Sequence, residues 1–212
     1  MSQLFSPWSL GRLNLANRIV VAPMCEYSAV DGTPGDWHMA HLGQLAMSGA
    51  GLLIIEATGV SAVGRITPGC LGLYSDANEA GLARVLAMMR RIAPAMPIAM
   101  QIAMQIAMQL AHAGRKASSR APWHGGQQIP LGEVGVPTMA VGLITETAQA
   151  EAIIASGQAD AIALARGLLY NLCWPWHAAA ALGAQVSVPP QYWRSQPREL
   201  KDLFQSASVG QR

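Results

Sequence analysis

The chain has 212 residues and a formal net charge of +2, a length suited to one domain with a buried core. Such a small charge excess gives no basis for a nucleic-acid partner or an anionic membrane. Cys25, Cys70 and Cys173 form no C-x-x-C pair, and no histidine cluster has ligand spacing, which speaks against a disulfide framework or a structural metal.

The first residues, MSQL, have neither a basic region nor an apolar core. No signal peptide is expected, and a cytoplasmic location is. Residues 18–24 (RIVVAPM) are an apolar, β-branched run closed by Pro23, the pattern of a strand buried on both faces. Residues 36–48 have helical spacing, with Trp37, His41, Leu42, Leu45 and Ala46 on one face and Gly49 as the stop. His38 and His41 on this helix read as structural. A second buried strand is expected over 51–57 (GLLIIEA). Asp76 and Glu79 have capping-box spacing and open a helix to about Ile92. The uncharged stretch 92–114 could pass for a membrane helix by hydropathy. Pro94, Pro97 and three glutamines argue for a soluble chain, since a buried unpaired amide costs about 1–3 kcal/mol. The third strand should end at 109–113 (QLAHA).

Ile-Ala-Met-Gln occurs at 98–101, again at 102–105 and again at 106–109. As one strand the repeat would keep Ile and Met on one face, because each copy shifts register by an even number. Its length, roughly 40 Å at about 3.3 Å per residue, is twice a typical strand, so the repeat reads as an insertion. Residues 115–135 are rich in Pro, Gly, Ser and Gln without helical period. They lead directly to another apolar strand, 136–144 (VPTMAVGLI), although parallel neighbours normally require a helical crossover. Thr145 is expected to cap a helix to Ser156, with Gly157 as its stop. A strand follows at 160–166 (DAIALAR), then a partial helix over 168–182 that Pro175 interrupts. The tail from Ser187 is polar and mixed.

NRIVVAPMCEY (17–27), EAT (56–58), GRITPG (64–69) and QLAHAGRK (109–116) resemble the old yellow enzyme family, in particular its bacterial xenobiotic reductases and ene-reductases. AVGLI (140–144) and ALARG (163–167) resemble its last two barrel strands. The resemblance implies an FMN enzyme on a TIM (β/α) barrel that takes hydride from NADPH or NADH and reduces an activated alkene or xenobiotic. Such barrels typically need about 250 residues. The expectation is therefore an α/β fold that is an incomplete barrel, one domain of segments 1–133 and 134–212. Its five parallel strands would match barrel strands one, two, three, seven and eight. These are neighbours around a barrel, so a contiguous open sheet is feasible.

By the same resemblance, Ala22, Pro23, Met24 and Cys25 would run beside the flavin ring, and Cys25 would tune it. Tyr27 would contact a small-molecule substrate, and Ala57 would let the ring approach. Gln109 would meet the pyrimidine edge, although Gln101 and Gln105 repeat its context. Gly142, Ala165 and Arg166 would hold the phosphate. His112, Arg115 and Lys116 are either a solvated basic turn or an anion site. Tyr192, Trp193 and Arg194 lie where related chains meet a neighbouring subunit, which leaves a homodimer open. The family's substrate-activating histidine pair has no counterpart here. The alternative reading is thus a truncated, catalytically impaired flavin-binding remnant. An aldolase-like barrel is a weaker rival, because neither Lys116 nor Lys201 lies in a strand.

Overall fold

The computed structural model describes residues 2–62, 65–94, 98–103, 137–205 and 207. It opens on an antiparallel hairpin, β1 (Trp8–Leu10) and β2 (Leu13–Leu15), with Trp8 opposite Leu15. Gly11 at the turn has φ 59°, where a Cβ would be strained. These three-residue strands are too short to show a hydrophobic period, and sequence reading did not anticipate them.

The main sheet comprises β3 (Ile19–Val21), β4 (Leu52–Gly59), β5 (Ile98–Ala103), β6 (Met139–Val141) and β7 (Ala161–Leu164). Its order is β5-β4-β3-β7-β6, and every pairing is parallel. The expected α/β architecture with a contiguous parallel sheet is present. The strand paired with β4 is built from the first Ile-Ala-Met-Gln copy and the start of the second. The predicted strand end at 109–113 and the linker 115–135 lie outside the described residues.

Strand periodicity divides the core in two. Ile19, Val21, Leu53, Ile55, Ile162 and Leu164 face the helices. Val20, Ala22, Leu52, Ala161 and Ala163 face the hairpin, against Leu15, Trp8 and Leu10. Burying one such leucine or isoleucine contributes about 1.5–3 kcal/mol. At the start of the sheet, Asn17 donates to the Gly49 carbonyl at 2.9 Å and accepts from the Ile19 N–H at 3.1 Å. Gly51 packs directly on the Asn17 carbonyl, where a Cβ would not fit.

Helix α1 (Asp36–Ala46) buries His38, Leu42, Gly43, Leu45 and Ala46. Trp37, expected on that face, is instead 55% exposed, because the buried arc is centred one residue further on. Helix α2 (Asp76–Ile92) has the expected span, but its cap is Ser75, whose Oγ accepts from the Asn78 N–H at 3.2 Å. Helix α3 (Thr147–Ala155) is capped by Glu146 rather than Thr145 and ends at Ser156, followed by Gly157 at φ 70°. The expected helix over 168–182 is two, α4 (Arg166–Tyr170) and α5 (Trp174–Leu182). Pro175 lies in the first turn of α5, where its missing N–H has no partner to lose, so it starts a helix instead of breaking one. The tail is also not simply polar: Val188, Leu203 and Phe204 are buried with Val186 against Ala179.

Candidate functional site

Parallel register brings distant motifs to one rim. Val21 pairs with Leu53, so continuing both chains sets Cys25 beside Ala57. The Ala57 backbone N–H lies close enough to the Cys25 thiol to favour its thiolate. Burial pushes that thiol above its ordinary pKa, the Glu56 carboxylate and Cys70 push it further, and the Ala57 N–H and Tyr27 hydroxyl oppose them. Tyr27 is 55% exposed and holds φ 52°, an uncommon conformation for a non-glycine residue. Its phenol is raised above its usual value, first by the adjacent Cys25. The structure therefore gathers Cys25, Tyr27 and Ala57. Pro23 is exposed beside them, Ala22 is buried towards the hairpin, and Met24 leans on the helix-side core.

Ile55 pairs with Met100 and Thr58 with Ile102, so Glu56 and Ala57 together face Gln101 across a bulge. By register, Gln101 is the glutamine next to Ala57. Gln109, His112, Arg115 and Lys116 lie outside the described residues.

The remaining expected residues gather at the other end of the rim. Val141 pairs with Ala163, which places Gly142 beside Leu164 and close to Ala165 and Arg166. Gly142 has φ 97° with open space where a Cβ would be. Arg166 is exposed and has no hydrogen bond or ion pair among the described residues. Tyr192 and Arg194 are exposed, whereas the Trp193 indole N–H donates to the Val188 carbonyl at 3.0 Å.

Sequence reasoning missed the polar layer beneath Cys25. Glu56 is 3% exposed and His38 is fully buried. The His38 Nδ1 accepts from the Gly35 N–H at 3.2 Å. Its Nε2 lies 3.3 Å from Glu56 Oε1, within ion-pair range but without hydrogen-bond alignment. Glu56 Oε2 accepts from the Glu26 N–H at 3.3 Å. The Glu26 carboxylate in turn receives the Trp37 indole N–H at 3.0 Å and lies 3.0 Å from His41 Nε2. Two histidines three residues apart on one helix were the available signal; their acidic partners were invisible without the sheet.

An apolar cavity of about 200 Å³ opens at the opposite end of the sheet, among Ala46, Gly51, Pro94 and Val188. None of its lining residues titrates, so it offers no acid–base or nucleophilic chemistry. Among the described residues, no group of three or more His, Cys, Asp or Glu could hold a metal ion, and no helix is long and apolar enough to cross a membrane.

Residues 3–128 match the family model described as the NADH:flavin oxidoreductase / NADH oxidase family. The chain belongs to that family. It is 38% identical over 134 residues to an NADH:flavin oxidoreductase of Gibberella zeae, covering 63% of this chain and 30% of that protein. It is 39% identical over 133 residues to an NADPH dehydrogenase of Bacillus licheniformis, covering 62% of this chain and 36% of that protein. Among solved structures, morphinone reductase is 35% identical with a TM-score of 0.44, over 54% of this chain and 27% of that one. The chain spans about a third of the length of the curated relatives it matches.

Proposed function

We propose that this chain is an FMN-binding NAD(P)H oxidoreductase of the ene-reductase type, acting on activated alkenes or xenobiotics. The observation that carries this reading is the meeting of Cys25, Tyr27 and Ala57 at one strand rim in a member of the NADH:flavin oxidoreductase family. The fold is read as a partial TIM barrel. In it β3, β4, β5, β6 and β7 stand for barrel strands one, two, three, seven and eight, and segments 1–133 and 134–212 form one domain.

The residues present suit a flavin. Pro23, Cys25 and Ala57 offer small or apolar groups along the rim, where a flat ring can lie close to the backbone. From β3 to β6 is two strand spacings, about 10 Å, and at that remove the exposed Arg166 guanidinium and the open Gly142 turn suit a phosphate. Ala165 would contribute its backbone there. When bound, FMN supplies two-electron hydride chemistry that side chains cannot. Cys25 would lie against the ring and set its electronics, Tyr27 would orient substrate, and Gln101 or Gln109 would hydrogen-bond the pyrimidine edge. NADPH or NADH would be the hydride donor. Homodimer formation through Tyr192, Trp193 and Arg194 and a cytoplasmic location belong to the same proposal.

The test is reconstitution with FMN, gel filtration, and rapid mixing with NADPH or NADH. Retained flavin whose oxidised absorbance bleaches on mixing is expected; loss of flavin on the column sinks the reading. A second reading, a flavin-binding remnant without turnover, is favoured by one observation. The rim histidines His38 and His41 both face carboxylates, so neither is directed at a substrate. Retained flavin that never bleaches would select this alternative.

A further inference from the structure

The geometry points to Glu26 as a positioning residue that locks the Cys25–Tyr27 pair by a clamp from helix α1, an inference that deepens and rests on the flavin reading above. Cys25 and Tyr27 flank Glu26 in the chain, and the Glu26 carboxylate turns towards α1.

On α1, Trp37 and His41 are four residues apart and share a face. Their rings stack with 8° between planes and centroids 6.0 Å apart. The stacked pair addresses Glu26 as a fork. The indole N–H meets Oε2 at 3.0 Å, and His41 Nε2 lies 3.0 Å from Oε1. Two contacts, one on each oxygen, fix a carboxylate in rotation as well as in position. This accounts for a tryptophan left 55% exposed: its indole nitrogen is engaged although its ring is not buried.

Glu26 is held at its backbone too. Its N–H donates to Glu56 at 3.3 Å, and its carbonyl accepts from Ser28 Oγ at 2.8 Å. Beyond Tyr27, the Ala29 N–H donates to the Gly69 carbonyl at 2.9 Å. The uncommon φ of Tyr27 is therefore flanked on both sides by fixed points, as a conformation that departs from the preferred regions requires.

The test is alkylation of the full chain by iodoacetamide, without flavin, quantified by peptide mass spectrometry as the Cys25 rate divided by the Cys173 rate. Cys173 is likewise half-buried and free, and general loosening would accelerate Cys25, Cys70 and Cys173 together, leaving the ratio unmoved. In Glu26→Ala the ratio should rise about tenfold, the factor that loss of one charge-assisted hydrogen bond represents. Trp37→Phe keeps the ring and removes only the N–H, and should give roughly a threefold rise. Glu26→Gln, which retains an acceptor for the indole, should restore a ratio close to that of the unaltered chain. An unchanged ratio in Glu26→Ala overturns the clamp, and if that variant does not fold, an unchanged ratio in Trp37→Phe does so. FMN retention is measured separately, so failure of the unaltered chain to hold flavin sinks the function while the ratio still decides the clamp.

Discussion

At the β3–β4 end of the rim, register sets Cys25 beside Ala57, and the segment from Cys25 to Tyr27 is tied to α1 through Glu26, Glu56, His38 and His41. At the β6–β7 end, Gly142 and Arg166 stand exposed, and the guanidinium has no partner among the described residues. Both ends come from strands of one sheet, so strand geometry alone does not build a site. What distinguishes them is the helix that follows. α1 sends polar side chains that hold the rim segment, whereas the five-residue α4 offers only Arg166, which makes no hydrogen bond or ion pair among the described residues. A pre-ordered end can tune a ring; an open end can only wait for an anion to order it.

Stability measurements would break this comparison most directly. Glu56→Ala removes the acceptor of the Glu26 N–H and leaves His38 buried without its neighbour, and should cost roughly 3 kcal/mol in denaturant unfolding. Arg166→Ala should change stability by no more than about 0.5 kcal/mol while weakening FMN binding about tenfold or more. Equal destabilisation by the two substitutions would erase the distinction.

A paired glycine experiment sharpens it. A Cβ on Gly69 would run into the Tyr27 carbonyl, so Gly69→Ala should cost about 1–3 kcal/mol. Gly142 has open space but φ 97°, so Gly142→Ala should cost only about 1 kcal/mol from backbone strain. Thermal melts of both variants give the comparison.

Titration is a finer probe. The Cys25 pKa is raised by burial first and by Glu56 next, so its alkylation should have a midpoint above the ordinary thiol value of about 8.5. A raised folded pKa contributes stability that is complete below the unfolded pKa and is lost as pH rises through the folded one. The thiol is half-exposed, so screening holds this contribution well under about 1 kcal/mol. Cys25→Ala should flatten the alkaline slope of stability.

The smallest effect concerns Glu151 on α3. Burial pushes its pKa up, but the Ser2 hydroxyl at 2.6 Å and the N–H groups of Gln3 and Leu4 at 2.7 and 3.0 Å outweigh this and hold it below the usual value. A depressed carboxylate contributes stability above its unfolded pKa and loses it as pH falls through the folded pKa. Glu151→Gln should therefore lower the melting temperature at neutral pH by an amount worth roughly 0.5–1 kcal/mol. The difference should vanish in acid below about pH 3. A gap that persists in acid would show that the carboxylate's charge is not what ties the N-terminal residues down.

Much of the fold was legible because apolar strand runs and helical spacing are local. The span of α2, the parallel sheet and the neighbour order could all be argued from runs such as RIVVAPM and GLLIIEA and from family motifs. Boundaries were less legible: Ser75 and Glu146 displaced the expected caps by one residue, since a cap is decided by where the chain turns. Trp37 was assigned to the core from spacing, yet the sheet's position made His38 the inward residue. Cys25, Tyr27 and Ala57 were singled out as candidates from motifs. Glu26 and Glu56 were not, because their partners lie on another element and no spacing rule connects them. The glutamine was the hardest to place, since Gln101 and Gln109 have identical upstream contexts and only strand register sets Gln101 beside Ala57.

The place of β3 in the sheet has a consequence during synthesis. Its first neighbour, β4, leaves the ribosome soon after it, but its second, β7, pairs Ile162 with Ile19 and is translated much later in the chain. Until then the most central strand of the nascent protein presents an open hydrogen-bonding edge to whatever else is in the cell. Assembly must await a contact of high sequence separation, the kind that slows folding and invites chaperones.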